Sequence, residues 1–568
     1  MRTPCGKAVA VAAVTFVLAV VAVTPGASAR RTGPVREYVV LYDDSATLAE
    51  ARAELKALGA TIERENTAIG LATVRSSNAS FLTDVMGRRT LFGAARNRAI
   101  GHSVPALRPK LDEVESLPGI RDASRRPARG TKPSGAIAEP FAKRQWDMQM
   151  IHATDEGSYA VQPGNPGVLI GIIDTGINGK HQDIAPNFSS ELSINFTTDI
   201  KNVDGPCKQE PDKSCSDPAI VDENSHGTHV AGTVGSPING LGIAGVAPGV
   251  TLVNIRAGQD SGYFFLQASV DALTYAGDNG IDVVNMSFFI DPWLYNCTNN
   301  PADTPEQQME QQTIIAATQQ ALDYAHSRGV TLIGGMGNEA TDLGNPTVDT
   351  QSPNYPPDSE HDRTVDNSCL VLPTEGNNVV SVGGVGPSGR KAYYSNYGIE
   401  QTSVTAPGGD YYDFPGTNNT ESARNMILAP YPLRLARAAD EITKRFKSKT
   451  PFVKVDCQGK KPNKKNCAVY QYLQGTSMAA PHATGVAALI VSQFGTPDAS
   501  GLTMDPAAVQ ARLEESATDT PCPTTNPYVY PDLDPQYTAL CEDPADPGIF
   551  NGFYGHGIVD ALAAVTGP

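Results

Sequence analysis

The sequence predicts an α/β fold, a mainly parallel sheet with helices on both faces, preceded by a small α+β module. Three observations carry that prediction. Apolar runs at 168–173, 251–255, 282–286, 330–333 and 379–382 read as continuous rather than alternating, the pattern of strands buried on both faces. Helical periodicity lies between several of them, at 263–278 and 313–327, and supplies the crossovers that parallel strands require. A stretch at 105–140, rich in Pro, Gly, Arg and Ser, separates this region from a front segment with its own strand and helix patterns.

Taken in order, the chain opens on an address. Arg2 and Lys7 precede an apolar stretch at 8–23, and Ala27, Ser28 and Ala29 offer small residues for cleavage. This reads as a secretory signal over 1–29, the stretch being short for a spanning helix; an uncleaved anchor is the alternative. Residues 36–42 read as a strand. A helix follows, capped by Ser45, carrying Leu48, Ala51, Leu55 and Leu58 on one side and ended by Gly59. Strands at 60–64 and 69–75, a helix at 78–86 and a strand at 99–104 complete an α+β module over 30–104. The linker at 105–140 contains Arg125 and Arg126. From 141 to 568 the α/β pattern holds, with insertions near 200–222, 291–312, 339–368 and 409–468; the last is expected to contain a helix at 422–447 and a Lys-rich stretch at 444–465.

Charge narrows the partners. The 568-residue chain carries a net charge of −17, distributed as +7 over residues 1–140 and −24 over the remainder. An acidic bulk argues against nucleic acid or an anionic membrane as the main partner, and the basic front can dock on the acidic remainder. With 53 Gly and 43 Pro the chain lies below low-complexity composition. Of nine cysteines, eight follow the leader. An even number in an exported chain favours disulfides over a zinc site, since no CxxC pair with partner histidines occurs. Proximity suggests 207–215, 457–467 and 522–541, leaving 297–369, among 105 formal connectivities.

Three segments carry the chemistry. In GVLIGIIDTGI at 167–177 a buried strand ends at Asp174, where open α/β sheets place ligands. In NSHGTHVAG at 224–232, Asn224 or Ser225 caps a helix with His226 and His229 three apart; His226 suits a base and His229 a packed or hydrogen-bonded helper, the spacing being poor for zinc. In LQGTSMAAPHATG at 473–485, Ser477 opens a helix beside unpaired N–H groups and the positive dipole end, with Pro481 read as part of the first turn. A serine hydroxyl needs a base within reach and a carboxylate to orient that base. The order Asp, His, Ser matches one of the known triad orders.

These segments resemble the signature blocks of the subtilisin-like serine proteases. TLIGGMGN at 331–338, DVVNMSF at 282–288, LGIAGVAPGV at 241–250 and NGFYGHGIVDA at 551–561 resemble further family blocks. The resemblance implies a subtilisin-like fold and a secreted, extracellular serine endopeptidase, made as a zymogen, that acts through an acyl-enzyme on Ser477. Asp174 and His226 complete the triad, and Asn338 serves the oxyanion. It implies a peptide laid extended between Ser261–Gly262 and Ser287, Phe288 and Phe289; the two rings stand where the family commonly has Leu-Gly and are expected to narrow the first pockets. It implies structural calcium held by Asp183 and Asn239, with no organic cofactor, and a propeptide over 30–104 that inhibits its own enzyme until it is cut near 104 or later in the linker. The expected partners are a protein or peptide substrate and the chain's own propeptide, with no nucleic acid, no membrane after signal cleavage, and a monomeric state. Two other functions compete: an exo-type processing peptidase removing two or three residues, with the insertions at 291–312 and 409–468 blocking one cleft end, and an inactive surface binding module, which no missing triad residue supports.

Overall fold

The computed structural model describes residues 32–98, 113–116 and 139–567, apart from 202, 210–212, 357, 460, 498–500, 532, 534–536 and 543–549. The leader, the strand expected at 99–104 and most of the 105–140 stretch, with Arg125 and Arg126, lie outside the described residues.

The front module consists of β1 (Thr32–Tyr42), α1 (Leu48–Ala57), β2 (Ala60–Asn66), β3 (Leu71–Asn78), α2 (Phe81–Val85) and β4 (Leu91–Arg98). Its strands form an antiparallel sheet in the order β2-β3-β1-β4. The period-two alternation of β1 divides two interiors. Tyr38, Val40 and Tyr42 pack with Leu55, Phe81 and Val85 of the module's helices, whereas Val39 and Leu41 join a core of the region that follows. The fourth strand is Leu91–Arg98, ahead of the stretch expected. The cap of α1 is Thr47 rather than Ser45: its hydroxyl accepts Glu50 N–H while the Glu50 carboxylate accepts Thr47 N–H, a capping box that satisfies two orphan donors.

The main region contains the single turn α3 (Glu113–Ser116), then β5 (Leu169–Ile173), β6 (Ile194–Asn195), α4 (His226–Gly235), β7 (Thr251–Arg256), α5 (Leu266–Asp278), β8 (Val283–Met286), α6 (Pro305–Ser327), β9 (Thr331–Gly335), β10 (Val379–Val385), β11 (Val404–Pro407), β12 (Ile427–Pro430), α7 (Leu433–Ala438), β13 (Val453–Cys457), β14 (Cys467–Leu473) and α8 (Thr476–Phe494). The seven-stranded sheet runs β11-β10-β9-β8-β5-β7-β6 and every pair is parallel. All of β5 and β8 is buried, which is why their sequences lack alternation. The α/β expectation therefore holds, with helices on both faces: α4 and α8 join one core cluster, α5 and α6 the other.

Two expectations about helices change. α6 begins at Pro305, inside the insertion expected at 291–312, because Thr304 and Gln307 form a second capping box with Pro305 in the first turn. The helix expected at 422–447 is reduced to α7 (Leu433–Ala438). Pro430 and Pro432 interrupt it, and residues 427–430 pair instead with β14, Ile427 opposite Leu473 and Pro430 opposite Tyr470. The 409–468 insertion thus supplies β12 and β13, which flank β14 in a three-stranded antiparallel sheet, β12-β14-β13, whose central strand leads into Ser477.

The four disulfides are Cys207–Cys215, Cys297–Cys369, Cys457–Cys467 and Cys522–Cys541, the pairing that proximity suggests. Cys297–Cys369 joins the insertions at 291–312 and 339–368 into one unit. Its buried centre is Arg363, which bonds Asp303 at 2.9 Å, Asp349 at 2.6 Å and the Tyr295 carbonyl at 2.7 Å.

Candidate active site

Asp174 follows the last residue of β5 and is fully buried. Its carboxylate accepts His226 Nδ1–H at 2.8 and 3.0 Å. The carboxylate can only accept, so this contact fixes the tautomer, with Nδ1 protonated. His226 is the first residue of α4. Gly227 is required behind it: a β-carbon there would stand 2.2 Å from the Gly176 carbonyl and 3.0 Å from the Asp174 carboxylate. Neither Asn224 nor Ser225 is the principal side-chain support of the helix start. Ser225 takes the N-cap position at φ +99° without a side-chain cap bond. Asp222 does the work, accepting the N–H groups of Asn224, Ser225 and Thr228 at 2.9–3.1 Å. Sequence reasoning passed over Asp222; its signal was an Asp placed four residues before the histidine, where a carboxylate can cap a turn.

His229 is buried one turn on, and its Nε2–H donates to the Ile427 and Gln471 carbonyls at 3.1 and 3.2 Å. Burial pushes its pKa down to about 3. It is a neutral packing residue that ties α4 to the inserted sheet.

Ser477 lies in the first turn of α8. Asn338, three residues past β9, accepts Thr476 N–H at 2.9 Å and the Thr476 hydroxyl at 3.2 Å on its amide oxygen. Two donors on the oxygen orient the amide nitrogen to the other side. Pro481 belongs to the second turn, not the first. It lacks the N–H that would bond the Ser477 carbonyl, and that carbonyl accepts the Ser287 hydroxyl at 3.1 Å instead. The missing helical bond thus links the serine to the substrate edge. The Ser477 hydroxyl donates to Ser287 O at 3.4 Å, and His226 Nε2 faces Glu115 Oε1 at 3.5 Å. The structure therefore joins Asp174 to His226 directly and does not yet join His226 to Ser477.

The two candidate edges lie side by side. Ser261 N–H and Gly262 N–H turn inward, to Asp204 Oδ1 and the Gln259 carbonyl, both at 2.9 Å. Behind that edge, fully buried Arg256 bonds Asp217 at 2.6 Å and Asp260 at 2.8 Å. These two and Asp199 form, among the described residues, a cluster of three acidic groups close enough for a metal, but the guanidinium already serves as its cation. Phe288 stacks on Phe264 with ring centroids 4.1 Å apart and bridges the edges. Phe289 packs instead on the insertion cluster with Leu294, Tyr295 and Met336. Of the two rings expected to narrow the pockets, only Phe288 lies between the edges.

The residues expected to hold calcium do not fit it. The Asp183 carboxylate accepts Asn239 Nδ2–H at 3.1 Å, Ile243 N–H at 3.2 Å and the Tyr470 hydroxyl at 2.9 Å. A hard cation needs oxygen ligands, and here hydrogen-bond donors surround the acid. Burial pushes the Asp183 carboxyl up to about 8. Calcium is therefore expected to change the Tm of the wild-type chain and of Asp183→Asn equally. A calcium-dependent rise confined to the wild type, followed by calorimetry, would restore the metal site.

A model of the subtilase family matches residues 165–557. Subtilisin DY of Bacillus licheniformis is 28% identical over 356 residues, which cover 62% of this chain and 84% of that protein. The nisin leader peptide-processing serine protease NisP of Lactococcus lactis subsp. lactis is 26% identical over 357 residues; the match covers 62% of this chain and 45% of that protein, less than half its length. Among solved structures, the epidermin leader peptide-processing serine protease EpiP of Staphylococcus aureus superposes with a TM-score of 0.60 at 19% identity, covering 94% of this chain and 98% of that one.

Proposed function

On the premise that this chain belongs to the subtilase family of serine peptidases and hydrolyses peptide bonds, we propose that it is a secreted endopeptidase made as a zymogen, with Ser477 as nucleophile. The observation that carries the residue roles is the buried Asp174 carboxylate seated on His226 Nδ1–H, which leaves Nε2 as the basic nitrogen. His226 takes the Ser477 proton as the hydroxyl attacks the scissile carbonyl, and returns it to the leaving amine. Asp174 holds the tautomer and stabilises the imidazolium. The oxyanion forms beside Asn338 Nδ2 and the Ser477 N–H, one of the first-turn donors of α8. Water then repeats the sequence on the acyl-enzyme.

Docking of the front module supports the propeptide reading. Asn66 donates to Asp271 and Thr274 of α5 at 2.8 and 2.7 Å, Arg64 pairs with Asp271 at 2.7 Å, and Arg96 N–H donates to Glu310 of α6 at 2.8 Å. A β-carbon at Gly93 would stand 2.3 Å from Thr313 Oγ1, so β4 lies against α6 without a side chain between them. On this reading 30–104 inhibits the enzyme until the chain is cut at or beyond 104, and the mature enzyme works as a monomer. Four disulfides favour an oxidising compartment. Among the described residues no helix is long and apolar enough to cross a membrane.

The 409–468 insertion supports an endopeptidase over the exo-type alternative, because β12 and β14 are built in behind α4 through His229. Internally quenched peptides with blocked ends are expected to be cleaved. Asn338→Ala should lower kcat by about 10²–10³-fold with KM nearly unchanged, the signature of a bond made in the transition state. Cleavage of free-ended peptides alone would overturn the endopeptidase reading, and an unchanged kcat would overturn the role of Asn338.

A further inference from the structure

The turn α3 is the one described stretch between Arg98 and Glu139, and it lies against the catalytic residues. Gln474, three residues before Ser477, holds it twice: the side-chain amide donates to the Val114 carbonyl at 2.8 Å and the backbone N–H to the Glu115 carbonyl at 3.2 Å. The Glu115 side chain is buried, and its carboxylate reaches His226 Nε2 at 3.5 Å. Glu115 Oε1 and Asn338 Nδ2 approach the same point, 3.2 and 3.6 Å from where a β-carbon of Gly475 would stand. Meanwhile the Ser477 hydroxyl donates to Ser287 O. The nitrogen that must accept the serine proton faces an acid.

We infer that Glu115 is an internal latch, held by Gln474, whose carboxylate pairs with His226 and prevents the uncut chain from using that imidazole as a base. The inference rests on the reading of His226 as the base. An imidazole between two carboxylates, Asp174 at Nδ1 and Glu115 at Nε2, is favoured as the cation. Burial opposes that charge, but the two acids outweigh it and raise the His226 pKa well above its ordinary value. The other titratable groups around the pair do not replace Glu115. Asp222 is saturated by N–H groups at the start of α4. His229 is kept neutral. Tyr394, whose phenol is also raised by burial and by acids including Glu115, donates to the Gly408 and Gly409 carbonyls. Glu115 also lies outside the stretch that matches the family, which begins at 165, so the latch belongs to the segment ahead of the enzyme proper. No bond is made or broken in this contact; it holds a proton on Nε2, and departure of α3 frees that nitrogen for Ser477.

The test uses the full chain as wild type, Glu115→Gln, Glu115→Ala and Ser477→Ala. Each is treated with a serine-directed fluorophosphonate between about pH 5 and 9, where a histidine titrates, and labelling is read on the uncut band alone. Removing the carboxylate is expected to lower the acid limb of labelling by about one pH unit or more, raising the rate near pH 6 by up to about tenfold. Both Glu115 variants should behave alike, and Ser477→Ala should not label. Coincident profiles for wild type and both Glu115 variants overturn the latch while leaving the catalytic reading intact. Absence of label on every chain, cut or uncut, overturns the catalytic reading and the latch with it.

Discussion

Ser477→Ala is expected to lower kcat on a quenched peptide by about 10⁶-fold, the order measured when the serine of a subtilisin is removed. On the proposed roles the residual rate comes from binding and from the oxyanion donors, Asn338 and the α8 N-terminus, which the substitution leaves in place. The same substitution should stop self-maturation. Wild-type chain, analysed by mass and by N-terminal sequencing, is expected to lose its front residues, whereas the variant retains them. Ser477 is buried in a helix turn among Thr476, Ser287 and Asn338, and alanine is smaller and helix-compatible, so the fold should persist. A variant that still shortens itself at its N-terminus in pure form would refute Ser477 as the nucleophile.

Arg363→Met is expected to destabilise the joined insertions by about 3–5 kcal/mol, the cost of leaving buried charges without their partner. Arg363 and the two carboxylates it bonds, Asp303 and Asp349, are wholly shielded from solvent. The guanidinium also bonds Gln311 at 3.0 Å and lies over the Trp293 ring at 4.7 Å. Methionine fills similar volume but removes the buried cation, leaving Asp303 with Gln311 and His361 and Asp349 with two backbone N–H groups. Lysine restores the charge without the planar fork that reaches Asp303 and Asp349 at once, so Arg363→Lys should recover part of the loss. Adding Asp303→Asn and Asp349→Asn to Arg363→Met should recover more, since the penalty lies in the orphaned charge. Urea titration with limited proteolysis of 291–312 and 339–368 measures both effects. A midpoint for Arg363→Met equal to wild type would show that the cluster contributes nothing. Because Met336, two residues before Asn338, belongs to the same packed unit as Tyr295 and Val371, loosening it should also lower kcat.

The proposed chemistry was legible because each residue assigned to it sits in a local motif. Asp174 ends a buried apolar run, His226 opens a Gly-rich helix, and Ser477 opens another after Gly475. Strand burial and crossover helices gave the parallel sheet, and short separations gave three of the four disulfides, with the fourth by remainder. What was misread involved competition. Pro430 and Pro432 outweighed the helical spacing around them, and a Thr-Pro-x-Gln start lengthened α6 backwards. At Asp183 no local pattern showed that Tyr470, from a strand 287 residues away, donates to the acid.

By itself the sequence determined the classes of element, the three side chains proposed for catalysis and the covalent links, since turns, caps and burial patterns are written in residues a few positions apart. Only the tertiary structure decided that Glu115 faces His226, that Ser287 takes the helical bond Pro481 leaves open, that Arg256 and Arg363 neutralise buried acids, and that an inserted sheet supports α4. Those contacts join residues far apart along the chain. No local propensity encodes them; the packing of the sheet brings them within hydrogen-bond reach, where a buried charge or an unpaired carbonyl must find a partner.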